Sequence, residues 1–299
     1  MLNISRHKVE FARANGIDIA YQAFGDKDGF PLILVMGLGS QMVLWDDEFC
    51  RQLAAVGYRV IRFDNRDVGL STKLDWMEVP DSTAVAAALQ RGEAPALPYT
   101  LENMATDTAE LLTTLGYESA HIVGESMGGM IGQIMAIHFP ERLRSLTSIM
   151  SSTGNPLLPP PKPEVLEILY TPFPSDHDGF VESFVRAFKI LSGPAMPLNE
   201  TLARKWAEQS YERGLNPAGV ARQFAAIMAA GDRTEKLKSI GVPTLVIHGE
   251  EDPLLPVECG LATAAAIPGS RLKIIPGMGH ALPEAVWPQI IAEINRHAI

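Results

Sequence analysis

Ala120-His-Ile-Val-Gly-Glu-Ser-Met-Gly-Gly129 is the stretch from which the rest of the chain can be read. Its first half is short, apolar and β-branched at Ile122-Val123, as a strand buried on both faces of a parallel sheet would be. Its second half runs into Met130-Ile-Gly-Gln-Ile-Met-Ala-Ile137, where apolar residues recur at helical spacing. Between them, Gly124 and Gly128 flank Ser126 at the G-x-S-x-G spacing. A strand that breaks directly into a helix needs a turn with no β-carbon crowding the serine on either side. The strained serine then projects its Oγ as a nucleophile. Three fixed positions are a weak signal in a chain with 25 glycines among 299 residues; the flanking strand and helix give it weight.

Toward the N-terminus, Pro31-Leu-Ile-Leu-Val-Met36 reads as a buried strand running into Gly37-Leu-Gly39. Trp45 to Val56 has helical spacing, Arg59-Val-Ile-Arg-Phe63 is a strand ending at Asp64, and Leu101 to Leu115 is a helix. His7 to Ala14 and Ile17 to Phe24 alternate as hairpin strands about Asn15-Gly16, a strong turn dipeptide. Toward the C-terminus, Leu143 to Met150, Pro243 to His248 and Leu272 to Ile275 read as strands. Helices are expected over Val257 to Ile267 and Pro283 to His297. Alternating strand and helix units imply a mainly parallel sheet covered on both faces, with ligands held at the carboxyl ends of the strands.

The alternation stops between about Ser152 and Asp232, where proline-rich and amphipathic stretches carry no strand pattern. An unstructured loop of that length is improbable in a compact domain. Residues 152–232 are therefore expected to form a helical cap, inserted into a core made of 1–151 and 233–299. Helices within the cap are expected at Gly179 to Leu191, Asn199 to Arg213 and Ala218 to Ala230. Leu157-Leu-Pro-Pro-Pro-Lys-Pro163 is a stiff connector.

At 46% hydrophobic residues the chain can bury a full core, yet no stretch approaches the roughly 18 to 20 uninterrupted apolar residues of a membrane span. No secretory signal is visible at the N-terminus, so a cytoplasmic protein is the expectation. The net charge of −10 with scattered basic residues argues against a nucleic-acid partner. Cys50 and Cys259 fit no zinc or redox spacing and are expected as buried free thiols.

A nucleophilic serine needs a base, and the base needs an orienting acid. Of seven histidines, His280 lies in the glycine-rich loop Pro276-Gly-Met-Gly-His-Ala-Leu-Pro283 after a strand, placed to swing over the sheet toward Ser126. His248 ends a strand and is the competitor, expected to pack beneath the site. His121 and His138 point away, and His7, His177 and His297 read as surface residues. The acid is expected from Gly249-Glu-Glu-Asp-Pro253. Asp252 is the choice, held before Pro253 and Pro256, with Glu251 the alternative and Glu250 and Glu251 facing solvent. Oxyanion donors are expected from the backbone N–H groups of Met127, first in the helix after the nucleophile, and Leu38, in the glycine loop; each is worth on the order of 3 kcal/mol when aimed. Met36, Gly37 and Trp45 are candidate pocket residues, with core packing an equal alternative for Trp45.

The order Ser126…Asp252…His280 is that of the α/β-hydrolases. The whole chain resembles that superfamily, and within it the aclacinomycin methylesterase branch of serine esterases. The likeness lies in Val35-Met-Gly37, Trp45-Asp-Asp-Glu-Phe49, Phe63-Asp-Asn-Arg-Asp-Val-Gly-Leu-Ser-Thr72, Gly124-Glu-Ser-Met-Gly128, Ile190-Leu-Ser-Gly193 and the His280 loop. The resemblance implies an α/β-hydrolase fold with a mostly parallel sheet of about eight strands and a cap. It also implies carboxylic-ester hydrolysis through an acyl-enzyme, with no metal or organic cofactor and a small-molecule ester as substrate. Ser126, Asp252 and His280 map onto the family's triad, and Leu38 and Met127 onto its oxyanion hole. Arg66 and Asp67 fall in a loop that braces the site in the family. The same residues would serve a perhydrolase, a cofactor-free haloperoxidase, a lactonase or a carbon–carbon bond hydrolase. A slow-turnover receptor on this fold is the alternative of another class.

Overall fold

Asn15 and Gly16 both adopt positive φ, 48° and 77°, the pair of left-handed residues that a two-residue hairpin turn demands. They join β1 (Glu10–Ala14) to β2 (Ile17–Phe24), with Ala14 opposite Ile17. The structure is a computed structural model that describes residues 8–171, 173–196 and 198–298. Strand β1 begins at Glu10; the His7 end of the expected strand lies outside the described residues.

Six more strands follow: β3 (Phe30–Val35), β4 (Tyr58–Phe63), β5 (Ala120–Glu125), β6 (Leu143–Ile149), β7 (Thr244–Gly249) and β8 (Arg271–Ile275). They form an eight-stranded sheet in the order β1-β2-β4-β3-β5-β6-β7-β8. The hairpin is antiparallel to β4, and every pairing from β4 to β8 is parallel. Side chains alternate across the pleat, so each central strand feeds two cores. Ile33, Val35 and Ile122 pack on one face with Leu111, Ile131 and Met135. Leu32, Leu34 and Val123 pack on the other with Phe49, Leu53, Ile290 and Ile294. A strand flanked by apolar layers on both faces must be apolar throughout, which is why these runs read as continuous rather than alternating.

The helices are α1 (Asp47–Ala55), α2 (Ser82–Gln90), α3 (Leu101–Thr114), α4 (Met127–His138), α5 (Pro163–Tyr170), α6 (His177–Ser192), α7 (Glu200–Glu212), α8 (Pro217–Ala230), α9 (Thr234–Leu237), α10 (Val257–Ala266) and α11 (Trp287–Ala298). Helix α1 starts two residues later than its spacing suggests. Asp46 caps it by accepting the Glu48 N–H at 2.8 Å, which leaves Trp45 outside in a non-helical conformation. Helices α2 and α5 were not legible. In α2, Ser-Thr-Ala-Val-Ala-Ala-Ala-Leu-Gln, the alanines blur any apolar face and only Val85 is buried.

Between β6 and β7 the described residues contain helices α5 to α9 and no strand. Among the described residues, no helix is long and apolar enough to cross a membrane. The Leu157–Pro163 connector runs over the surface, with Leu157 89% exposed, and is pinned where the Lys162 N–H donates to the Pro253 carbonyl at 2.8 Å.

Candidate active site

Parallel pairing brings the carboxyl ends of β3, β5, β7 and β8 to one edge of the sheet, and each carries one of the residues singled out above. Ser126 sits between β5 and α4 at φ 54°, ψ −117°, a conformation that costs a non-glycine residue energy and is kept only where its surroundings enforce it. The enforcement is local. The Ser126 N–H donates to the Ile149 carbonyl at 2.9 Å, and the Ser151 hydroxyl donates to the Ser126 carbonyl at 2.9 Å. The flanking glycines are dictated by space: a β-carbon on Gly124 would lie 2.1 Å from the Gly128 carbonyl oxygen, and one on Gly128 would lie 2.1 Å from the Val35 oxygen.

The His280 loop is held from two sides. The His280 N–H donates to the Leu191 carbonyl at 2.7 Å near the end of α6, and the Glu251 N–H donates to the Met278 carbonyl at 3.0 Å. The ring then spans the site. His280 Nδ1 lies 2.7 Å from Asp252 Oδ2, and Nε2 lies 3.0 Å from Ser126 Oγ. An ionised carboxylate can only accept, so Nδ1 carries the proton in this contact and Nε2 is left to accept from the serine hydroxyl.

Asp252 is 3% exposed, and its Oδ1 accepts the Leu254 and Leu255 N–H groups at 2.9 and 2.8 Å. Burial works against its charge, but the charge of His280 and hydrogen bonds from His248 and His280 outweigh that and hold the carboxyl well below the usual range. Burial likewise disfavours the His280 imidazolium, yet the charge and hydrogen bond of Asp252, helped by the charge of Glu125, raise its pKa above the ordinary value.

His248 packs beneath the site as expected, but its contact with the acid Asp252 is one the sequence reading did not foresee. It is fully buried beneath the site, with Nε2 2.7 Å from the Leu255 carbonyl and 3.4 Å from Asp252 Oδ2. The carbonyl requires a proton on Nε2, so His248 offers N–H to the acid and cannot serve Ser126 as base. Its i, i+4 relation to Asp252 was the available signal. Glu125, the variable residue inside the motif, was also passed over. It is half-buried, and burial pushes its carboxyl up to about 7, with His280 opposing and Asp252 adding to the shift.

Other expectations are met or revised by position. Glu250 is exposed, but Glu251 is half-buried with Oε2 enclosed and unpartnered among the described residues, because its backbone ties the β7 loop to the His280 loop. His121 lies at the far end of β5, bonded to Ser145 Oγ at 2.9 Å. His177 is exposed, whereas His297 is half-buried. His7 lies outside the described residues. Cys50 and Cys259 are buried free thiols.

Gly37 passes close over the nucleophile: a β-carbon there would lie 3.3 Å from Ser126 Cβ. Leu38 follows it at the tip of a turn closed by the Ser40 N–H on the Gly37 carbonyl, 3.3 Å. Met127 is the first residue of α4, where N–H groups have no intrahelical acceptor and the helix dipole is positive. Met36 is 1% exposed, its carbonyl accepting from Asn65 Nδ2 at 3.0 Å. Trp45, also 1% exposed, stacks on Phe49 at 5.6 Å; core packing accounts for it and a place at the pocket mouth does not.

Known proteins carry the same architecture. Two rhodomycin D methylesterases, DauP of Streptomyces sp. (strain C5) and DnrP of Streptomyces peucetius, are 31% and 30% identical, each alignment covering 92% of this chain and 93% of the relative. A hydrolase from Pseudomonas aeruginosa PA01 superimposes with a TM-score of 0.70 at 25% identity over 98% of this chain and 97% of its own. The family described as alpha/beta hydrolase fold matches residues 31–284, and with its sheet, its relatives and this match the chain belongs to the α/β hydrolase fold family.

Proposed function

We propose that the protein is a serine carboxylesterase acting on uncharged esters of short or medium acyl length. The observation that carries this reading is the continuous chain Ser126–His280–Asp252 at 3.0 and 2.7 Å, with the glycine loop and the start of α4 beside it. In this reading residues 1–151 and 233–299 form the catalytic core and 152–232 its cap.

Ser126 Oγ attacks the ester carbonyl carbon while His280 Nε2 takes the hydroxyl proton. The carbonyl oxygen becomes an oxyanion, stabilised by the N–H groups of Leu38 and Met127. The C–O bond to the alcohol breaks as His280⁺ returns the proton to the departing oxygen, leaving the acyl group on Ser126. Water, deprotonated by His280, then attacks the acyl-enzyme, and collapse releases the carboxylic acid and restores the serine. Asp252 stays ionised throughout, fixing the tautomer and stabilising the imidazolium. The methylesterase relatives fit a small alcohol leaving group.

The substrate class rests on charge. Asp252, joined by Glu125 once its raised carboxyl ionises, places negative charge around His280, and no lysine or arginine among the residues described at the site offers a partner to an anionic substrate. A p-nitrophenyl ester series is expected to peak at short to medium acyl chains. A peak at long-chain lipids or strongly anionic esters contradicts the reading, as does faster peracid formation from acetate and peroxide than ester hydrolysis.

The pH profile carries a second prediction. His280 must be neutral to accept the serine proton, so kcat/KM falls as pH drops through its raised pKa. The charges facing the ring are Asp252 from the β7 loop and Glu125 from β5. Glu125→Gln removes one of the two charges that favour the imidazolium, so the acidic limb is expected to move to lower pH. An unmoved limb, or one moved to higher pH, means that Glu125 does not act on His280.

A further inference from the structure

Helix α8 meets the loops after β3 and β4 through buried polar contacts rather than apolar packing alone. Arg222, 1% exposed, forms a two-pronged ion pair with Asp67 at 2.8 and 2.9 Å. Asn216 Nδ2 donates to the Asp67 carbonyl at 3.0 Å. Between these lies Gln223, with no exposed surface. Its Oε1 accepts the Gly39 N–H at 2.9 Å, and its Nε2 donates to the Arg66 carbonyl at 2.8 Å. One side chain thus uses both ends of its amide to tie the β3 loop to the β4 loop.

The Gly39 amide is not an arbitrary attachment point. Gly37 to Ser40 is a turn closed by the Ser40 N–H on the Gly37 carbonyl, and Gly39 has φ +64°, the left-handed conformation that the third position of a type II turn requires. In such a turn the peptide plane between the second and third residues can flip at modest cost. The Gln223 acceptor fixes that plane by holding its N–H, and Leu38, the residue on its other side, carries the proposed oxyanion donor. Asn65 fixes the entry to the same turn through the Met36 carbonyl. Its exit is fixed through Gln41, whose Nε2 donates to the Ser210 carbonyl at 2.8 Å.

We propose that Gln223 is a positioning residue for the oxyanion loop, so that helix α8 is a structural part of the catalytic machinery rather than only a cover over it. The inference rests on the serine-esterase reading and extends it to a residue that touches no substrate. An amide set a fraction of an ångström off its target still leaves substrate binding intact but stabilises the tetrahedral intermediate less, so the loss belongs in kcat rather than KM.

The test is steady-state ester hydrolysis by the full chain carrying Gln223→Met, which matches glutamine in length but can neither accept from Gly39 nor donate to Arg66. The expected result is a kcat lower by about 10- to 100-fold with KM within about twofold. A second form replaces Gly39 with glycolic acid, which turns the Leu38–Gly39 amide into an ester and so removes the N–H that Gln223 accepts without altering any side chain; it is expected to show the same split, and it keeps the question answerable if Gln223→Met does not fold. Unchanged kcat in a folded variant, or a loss confined to KM, overturns the inference. Fluorophosphonate labelling of the parent protein separates the two levels. Labelling at Ser126 with unchanged kcat in the Gln223 and Gly39 variants sinks the positioning role alone; no labelling at Ser126 sinks the esterase reading and this inference with it.

Discussion

Ser126→Ala is expected to lower kcat for ester hydrolysis by about 10⁶-fold, the loss seen when the nucleophile of a serine–histidine–acid unit is removed. The size follows from what remains. His280 and Asp252 keep their 2.7 Å contact, but the base has no hydroxyl within reach and no acyl-enzyme can form. Only the backbone donors and substrate binding persist, and these alone give a small residual acceleration over water. The variant is expected to fold, because the strain at φ 54° is enforced by backbone bonds to Ile149 and by the glycines on either side, none of which involves Oγ. Progress curves with a p-nitrophenyl ester, alongside a thermal melt, measure both. Hydrolysis within tenfold of the parent would mean that another group carries the reaction.

Asp252→Asn is expected to cost on the order of 10³- to 10⁴-fold with the geometry intact. The asparagine amide can donate to His280 Nδ1, which favours the tautomer with the proton on Nε2, and that nitrogen can then no longer accept from Ser126. The native carboxylate is held ionised by hydrogen bonds from two imidazoles and two backbone amides, so the neutral replacement also leaves His248 and the Leu254 and Leu255 N–H groups with a weaker acceptor. Glu251→Gln is the companion measurement. Its carboxylate touches neither histidine in the described contacts, and activity is expected to stay within a few-fold of the parent. If Glu251→Gln shows the large loss and Asp252→Asn does not, the acid has been misassigned.

The elements that frame the site were legible because their signals are local. Asn15-Gly16 dictates its hairpin by backbone conformation, and Ile122-Val123 announces a doubly covered strand by composition. The Ser126 elbow and the His280 loop depend on glycines whose spacing can be counted. Contacts made across the fold left weaker traces. Nothing adjacent in sequence ties Gln223 to Gly39, 184 residues apart, and their pairing exists only because α8 returns over the β3 loop. Trp45 belonged to both the pocket and the core by composition, and only its stacking on Phe49 separates the two. Helix α2 was missed because alanines satisfy helix propensity without marking a face, so the period on which the reading relied was absent. His248 shows the intermediate case: the i, i+4 relation to Asp252 was visible, but its meaning depends on a turn that folds the acid back onto the strand end.

The central claim, that Ser126 is a nucleophile activated by His280, is tested most directly by a fluorophosphonate probe read by peptide mass spectrometry. The account predicts a single phosphonylated peptide with the adduct on Ser126, lost in Ser126→Ala and formed far more slowly in His280→Ala. An adduct on another residue, or undiminished labelling in Ser126→Ala, would contradict it.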